Sequence, residues 1–563
     1  MAWVEAFLVK YPELTLFLVI GIGYWIGSLK LGPLKLGPVT GSLFAGIAVG
    51  QVAHVPVSGT AKSILFLLFL FGIGYSVGPQ FMQALKRDGL KPVLVAAVMA
   101  FTGLATAFTV AKVLGLDPGF AAGLVSGALT ESPAMGTATE AINALPIPEA
   151  DRARFVAHIA VADAVCYLFG AAGMIWFLST VAPRLIGADL VASARALEQE
   201  LGITRDAAGT ASAWRRFELR AYRVVEGGPA VGRTVAEIEA SALPHRIFLH
   251  RVRRGDACRD LTLEDRLEPG DIVAVSGRRE LLVDVIGRNR EEVEDRELLD
   301  ILVSIVEVLV TSKEVAGRTI EELAKAETSR GLYLRGIKRG GQEIPLAPGT
   351  EVLRGDVLTV VGAVPTVERA AKLIGPIVRP TEQTDFVVLG LAIFLGGLVG
   401  VLVTIPIGGM RISLSTSVGT LLAGLVVGHL RTRHPLFGRI PDGAIALMTA
   451  LGLAAFVAMT GLHAGPIFFE AIAEAGIGLL LGGMVVTMVP LLVGLYFGHH
   501  VLKLHPQLLL GAIAGGQTMT PAMAAVQERS NSTVSVLGYT PAVPIGHILL
   551  TSWGTVIVNL VAA

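Results

Sequence analysis

Two short stretches hold the residue types that could do chemistry in this chain: Thr130-Glu131-Ser132-Pro133 and Gln517-Thr518-Met519-Thr520-Pro521. Each sets hydroxyls and a proline, with a carboxylate or an amide, into the middle of an apolar run. Proline removes a backbone donor and clashes with the preceding turn, so each run is expected to break into two half-helices. Half-helices that end there aim unpaired N–H groups and about half a positive charge at whatever lies between them. A carboxylate is a natural occupant. Thr130, Ser132, Gln517, Thr518 and Thr520 add side-chain donors, whose other use would be to satisfy the backbone at the break. Glu131 and Met519 occupy the same position of their stretches, so the two tips are chemically unequal. An ionised group at membrane depth costs roughly 2.5–3.5 kcal/mol. Glu131 therefore reads as a receiver for a substrate ammonium, or as a group facing a water-filled vestibule.

Two further polar residues stand mid-span in apolar segments. Laying HIAVADAVCYLFG on PAVPIGHILLTSWG, with 554 − 170 = 384, sets Asp163 opposite His547. The expectation is that they flank one centre, His547 facing a carboxylate and Asp163 an ammonium or a proton. A histidine near its pKa can also couple a proton to transport; a structural hydrogen bond is the plainer role. His158 and His463 are weaker candidates. No GxxxxGK phosphate loop, metal-ligand cluster, or hydrolytic or redox motif is present, so no enzyme activity, metal or cofactor is expected.

The elements around these residues are repeated. Gly123–Ala141 lies on Gly511–Arg529 without a gap at 511 − 123 = 388, which also carries Leu116 and Pro118 onto Leu504 and Pro506. GSLFAGIAVG at Gly41 matches GTLLAGLVVG at Gly419, and GPQF at Gly78 matches GPIF at Gly465. The halves are a duplication. Paired interrupted segments in two such halves are the sequence pointer to a transporter's substrate site.

Composition agrees. The 563 residues are 53% hydrophobic and 16% charged, with mean hydropathy +0.65, too apolar for a soluble chain of several domains. The 66 glycines suit close helix packing in lipid. Gly46/Gly50 and Gly424/Gly428 are read as packing helices within one subunit. With 46 basic and 46 acidic residues, no nucleic-acid partner is indicated. Cys166 and Cys258 offer no disulfide framework. The start, MAWVEAFLVKYPE, lacks a basic leader, so the first apolar run is expected to be retained.

Apolar runs fall near 14–29, 37–53, 63–84, 92–114 and 155–182, with the interrupted 119–145 between the last two. They resume near 385–405, 412–429, 443–465, 475–498, the interrupted 507–527, and 540–562. Lysine and arginine in short loops set the orientation. If both interrupted segments crossed fully, Lys30, Lys35, Lys86, Arg87 and Lys91 would lie outside, against the rule. If each dips in and returns, those residues fall inside with Arg431, Arg433, Arg439 and Lys503; Arg152 and Arg154 run against the count. The basic loop His429, Arg431, Arg433, His434 is read as part of this signal, with contact to anionic lipid as its alternative use.

The expected fold is thus a polytopic α-helical membrane protein. It has two inverted repeats of about five transmembrane helices plus one re-entrant element each, an inserted α+β cytoplasmic region near 190–380, and both termini outside. Expected divisions are 1–187 and 381–563 for the repeats, 188–215 for a linker, and 216–296 and 297–380 for two soluble modules. The modules are themselves a tandem repeat: VGRTVAEIEA matches AGRTIEELAK and EPGDIVAVSG matches RGDVLTVVG, with Gly232, Gly270 and Gly277 recurring 85 residues on, as 317 − 232 = 85.

Together ALTESPAMG, GQTMTPAMA and the GRT and PGD/RGD modules resemble the aspartate:alanine exchanger family of bacterial inner-membrane antiporters, with two central RCK C-terminal (TrkA-C-like) domains. The likeness covers nearly the whole chain. It implies sodium-independent exchange of L-aspartate for L-alanine, as in the best-known members, or export of dicarboxylates such as succinate, as in others. It further implies kinship with carriers that move a core as an elevator against a scaffold, a homodimer, and modules that bind a small regulatory ligand. The substrate site would comprise Thr130, Glu131, Ser132, Pro133, Asp163, Gln517, Thr518, Met519, Thr520, Pro521 and His547. From other classes, an RCK-gated ion channel and a receptor that senses without transport remain as rivals. GIGYSVG at Gly72–Gly78 has the letters of a potassium filter, but it sits in a long apolar run and its counterpart TGLHAG lacks the pattern.

Overall fold

The computed structural model describes residues 2–563 except 32–33, 36, 85–89, 202–216, 243–246, 279–281, 283–290, 327–328, 340–341, 379–382, 408–409 and 433–436. Lys86, Arg87, Arg433 and His434, and residues 202–215 of the expected 188–215 linker, lie outside the described residues.

The first repeat comprises α1 (Ala2–Lys10), α2 (Pro12–Ser28), α3 (Pro38–Val52), α4 (Gly59–Ala84), α5 (Leu90–Leu114), α6 (Pro118–Ala128), α7 (Pro133–Ala144), α8 (Glu149–Trp176) and the short α9 (Ala182–Leu185). A two-stranded hairpin, β1 (Lys30–Leu31) with β2 (Leu34–Lys35), links α2 to α3. After α10 (Leu190–Glu200) come the soluble modules. The first holds β3 (Phe217–Arg223), α11 (Val235–Ser241), β4 (Phe248–Arg254), β5 (Ala257–Asp260) and β6 (Ile272–Arg278). Beyond α12 (Arg296–Leu299), the second holds β7 (Val303–Leu309), β8 (Arg318–Thr319), α13 (Ile320–Lys325), β9 (Leu332–Arg339), β10 (Gln342–Ile344), β11 (Glu351–Val352), β12 (Val357–Ala363) and α14 (Val364–Ile374). The second repeat runs α15 (Phe386–Leu402), β13 (Thr404–Ile407), β14 (Met410–Ser413), α16 (Ser415–Arg431), α17 (Asp442–Ala464), α18 (Phe468–Tyr496), α19 (Pro506–Gly516), α20 (Thr520–Ser530) and α21 (Val536–Ala562).

Each apolar run of the sequence is a helix, and both interrupted runs are helix pairs. The half-helix that opens each pair has a local start signal. Asp117 caps α6 by accepting from the Phe120 N–H at 2.8 Å, with Pro118 in the first turn; His505 and Pro506 start α19 in the same way, as N-terminal chemistry favours. The sequence reading does not anticipate α1, which meets α2 at 104°, nor the hairpins β1–β2 and β13–β14.

Two bundles form the membrane part. In the panel, α2–α4 pack with α15–α17; in the core bundle, α5–α8 pack with α18–α21. The panel halves cross-pack through glycine. A Cβ on Gly46 would stand 2.5 Å from the Ala458 carbonyl oxygen, and one on Gly424 2.4 Å from that of Phe71, so α3 lies on α17 and α16 on α4. The GxxxG pairs thus join helices within this chain. Gly72–Gly78 is uninterrupted helix, with the Tyr75 hydroxyl donating to the Gly438 carbonyl at 3.0 Å.

The direction of the hairpins follows from these contacts. Gly119 lies against Phe155, Gly123 against Ile159, and Gly127 against Asp163 and Cys166, so α6 runs parallel to the first half of α8. α8 starts at the face where α6 starts, and α7, joined to it by residues 145–148, returns to that face. Likewise Gly511 lies against Ser535 and Gly515 against Tyr539, so α19 parallels the start of α21 and α20 returns. Arg529 at the end of α20 donates to the Ser179 carbonyl, beyond the far end of α8, at 3.0 Å. The hairpins therefore enter from opposite faces, and the repeats are inverted.

The two modules have equivalent antiparallel sheets, ordered β3-β6-β4-β5 and β7-β12-β9-β10. Each helix following GRT carries a capping box, Thr234 with Glu237 and Thr319 with Glu322. The aspartates of PGD and RGD bind matching arginines, Asp271 with Arg254 at 2.8 Å and Asp356 with Arg339 at 2.7 Å. The modules pack with Phe248 against Tyr333, ring centroids 5.5 Å apart. Because 333 − 248 = 85, equivalent positions meet, as about a pseudo-twofold axis. Arg330 bridges to Glu239 at 2.8 Å. The insert also touches the membrane part: Gln507 of α19 donates to the Leu190 carbonyl of α10 at 2.8 Å.

Candidate substrate site

The two first half-helices end alike. The Glu131 N–H bonds the Ser126 carbonyl at 2.8 Å and the Thr130 N–H that of Gly127 at 3.1 Å; the Met519 N–H bonds Ala514 and the Thr518 N–H Gly515, both at 2.9 Å. This is the Schellman arrangement, whose C′ residue is left-handed and usually glycine. Here it is threonine in both repeats, Thr130 at φ 56 and Thr518 at φ 53. A β-branched residue is strained there, and the strain places two hydroxyls where the tips meet.

The tips meet around Glu131, whose carboxylate is buried. Oε2 accepts from the Thr518 hydroxyl at 2.8 Å; Oε1 accepts from the Thr551 hydroxyl at 3.2 Å and lies 3.0 Å from His547 Nδ1. Thr130 donates to the Gln517 carbonyl at 3.3 Å, closing the contact from the other side. The Gln517 side chain is 2% exposed, and among the described residues neither its amide nitrogen nor its amide oxygen has a hydrogen-bond partner. Buried polar groups are almost always paired, so this amide stands out as a donor and an acceptor without protein partners among the described residues. Around it, the first turns of α7 and α20 start at Pro133 and Thr520 from opposite sides. Their N-terminal dipole ends favour anionic groups.

Asp163 sits one layer away. Its Oδ1 accepts from the Ser126 hydroxyl at 2.6 Å, and the residue is 2% exposed. The sequence alignment of Asp163 with His547 is corrected by the packing. Gly123 faces Asp163 as Gly511 faces Tyr539, and Gly170 faces Gly127 as Gly546 faces Gly515. The structural shift is 539 − 163 = 376, so the repeat partner of Asp163 is Tyr539. His547 reaches the Glu131 carboxylate; Asp163 is held by Ser126. Ser132, Pro133 and Met519 are buried at the tips, whereas Thr520 and Pro521 are exposed, Thr520 sharing a 2.8 Å hydrogen bond with Tyr539. His158 pairs with Asp117 at 2.6 Å and His463 lies 3.3 Å from the Ala153 carbonyl, both at the face where α6 starts.

Sequence reasoning missed Ser126, Thr551 and Tyr539. Thr551 carried a signal, lying one turn beyond His547 on the same helix face. Ser126 lies inside the repeated motif opposite Ala514 and could have been read as one of its asymmetries.

Inverted repeats whose re-entrant hairpins meet from opposite faces over a buried polar centre make this a membrane transporter. The comparisons agree: residues 15–183 and 388–559 match the family described as a predicted permease membrane region, and 219–285 and 305–375 match TrkA-C domains. The chain belongs to the aspartate:alanine exchanger family. It is 60% identical over 515 residues to an uncharacterized transporter of Bradyrhizobium diazoefficiens, covering 92% of this chain and 100% of that protein. It is 38% identical over 564 residues to an uncharacterized transporter of Shewanella oneidensis, covering 99% of each. No solved structure matches the chain.

Proposed function

We propose that the protein is a secondary antiporter of small amino-carboxylates in the bacterial inner membrane, exchanging L-aspartate for L-alanine. The observation that carries this reading is the orphaned Gln517 amide beside the Glu131 carboxylate, between two helix N-termini. The N-termini suit the substrate's carboxylates, Glu131 its ammonium, and the amide either one. Succinate has no ammonium to offset the Glu131 charge. Each turnover would move one net negative charge as aspartate against neutral alanine. The core bundle would carry the site as an elevator against the panel, in a homodimer, with residues 190–380 cytoplasmic and both termini periplasmic. Coupling of the modules to transport would run through α10, which rests on α19 and α20, and a small ligand on the modules would regulate it.

The test is counterflow in proteoliposomes. Labelled L-aspartate should enter vesicles loaded with L-alanine or L-aspartate at least tenfold faster than empty ones. Absence of that uptake together with succinate/succinate counterflow would transfer the protein to dicarboxylate carriers and remove the amine-binding role of Glu131.

A further inference from the structure

The two hairpins share a sequence ancestor but are packed differently. α7 is closed: Pro133 and Gly136 are buried, and the Phe66 ring of α4 lies over Gly136. One turn on, Glu140 reaches the head of α16, accepting from Thr416 Oγ1 at 2.6 Å, Ser417 Oγ at 2.5 Å and the Ser417 N–H at 3.4 Å. A carboxylate on a helix N-terminus is held by unpaired N–H groups and the helix dipole. The repeat shift of 388 carries Pro133, Gly136 and Glu140 onto Pro521, Ala524 and Glu528, and all three of those are exposed. With Thr520 beside them, this stripe of α20 is polar enough to line a water-filled path. Packing comparable to that of α7 on α16 is absent between α20 and α3 among the described residues.

The docking place for α20 nevertheless exists. The shift of 419 − 41 = 378 carries Ser415 at the head of α16 onto Gly37 at the head of α3. Both have a positive φ, 68° and 82°, at the start of their helices. The α3 start has no side-chain cap. One repeat is latched and the other is not, as expected of an inverted-repeat carrier caught open to one face.

We propose that Glu140 and Glu528 are the positioning residues of the two gates. Glu140 shuts the first hairpin on α16 in the state seen here, which is open toward the face bearing the insert. In the opposite state Glu140 lets go and Glu528 takes the head of α3. The α3 latch is the weaker one, because Pro38 and Val39 stand where α16 has Thr416 and Ser417. The inference rests on the transporter reading but not on the substrate, and its test uses no substrate.

The contact equivalent to Gly136 on Phe66 is Ala524 on Leu453, using 465 − 78 = 387. Disulfide formation between Ala524→Cys and Leu453→Cys, in the full chain with Cys258→Ser, reports the opposite state. Losing a charge-assisted latch should raise that minor population, and the crosslinking rate, about tenfold. Glu140→Gln should do so, and so should Thr416→Ala with Ser417→Ala, which keeps the carboxylate if Glu140→Gln fails to fold. Glu528→Gln should slow crosslinking, and the Glu140→Gln/Glu528→Gln pair should return it toward the parent rate. An unchanged rate in both latch variants, or a shift of the same sign for Glu140→Gln and Glu528→Gln, overturns the proposal, whatever counterflow shows about substrate.

Discussion

Thr518 joins two opposing effects whose sizes can be separated. Its left-handed backbone, at φ 53, costs a β-branched residue about 1–2 kcal/mol relative to glycine. Its hydroxyl donates at 2.8 Å to the buried Glu131 carboxylate, an interaction worth about 1.5–3 kcal/mol. Thr518→Gly removes the strain and the bond together, so stability should change by only about 1 kcal/mol, a shift of a few degrees in Tm at most. Thr518→Ala keeps most of the strain and loses the bond, and should be the least stable of the series. Thr518→Ser keeps both backbone and hydroxyl. Transport should rank differently, because it depends on the orientation of Glu131 and not on backbone relief. Glycine and alanine should both lower the exchange rate about 10- to 100-fold, the kinetic equivalent of the lost bond, while serine stays within a few-fold. Melting in detergent and counterflow in proteoliposomes read the two quantities on the same preparations. Wild-type exchange by Thr518→Gly, or an alanine variant more stable than glycine, would refute the reasoning.

Two further perturbations probe the modules and the panel. His250 is hydrogen-bonded to Ser276 at 2.7 Å; burial, and then the nearby Arg330 charge, push its pKa down to about 4. A depressed histidine contributes stability that is full above its unfolded value near 6.5 and is lost as pH falls through 4, on the order of 3 kcal/mol. Hydrogen exchange in 248–254 and 332–339 should accelerate over that window, and His250→Gln should flatten the response. In the panel, Gly461→Ala should destabilise by about 1–3 kcal/mol, because its Cβ would lie 2.6 Å from the Leu43 carbonyl. Gly21→Ala, with nothing within 4 Å of the new Cβ, should be neutral or slightly stabilising in a Tm measurement.

What was legible in the sequence followed from residues that constrain backbone. Prolines 133 and 521 and the glycines of the 388-residue match fixed where the helices break, and the 85-residue spacing of the modules reappears in the Arg254–Asp271 and Arg339–Asp356 pairs. Register along α8 and α21 was not legible. Those helices are written largely in Ala, Val, Ile and Gly, so a slip of 384 − 376 = 8 residues, about two turns, leaves the hydrophobic match nearly as good. Only interhelical contacts, such as Gly511 on Ser535, remove the ambiguity. The hairpins β1–β2 and β13–β14 and the bend before α2 were missed because they depend on the repeat packing around them.

The corrected register explains why a symmetric frame needs only one charged tip. Shifted by 376, His547 and Thr551 fall on Ala171 and Ile175, and by 388 Glu131 falls on Met519. One repeat position is therefore a polar group of three, Glu131 with His547 and Thr551, at 3.0 and 3.2 Å. The other is apolar, Met519 packing in one cluster with Ala171 and Ile175. All three positions differ together, as they must: a buried carboxylate without donors costs several kcal/mol, and donors facing methionine would be orphaned. The polar group of three is built from both repeats, the carboxylate from the first and its partners from the second. Neither repeat alone could hold the charge, and moving one hairpin relative to α21 changes how Glu131 is bound. If Glu131 receives substrate as proposed, capture and movement of the hairpins would be coupled through the same few hydrogen bonds.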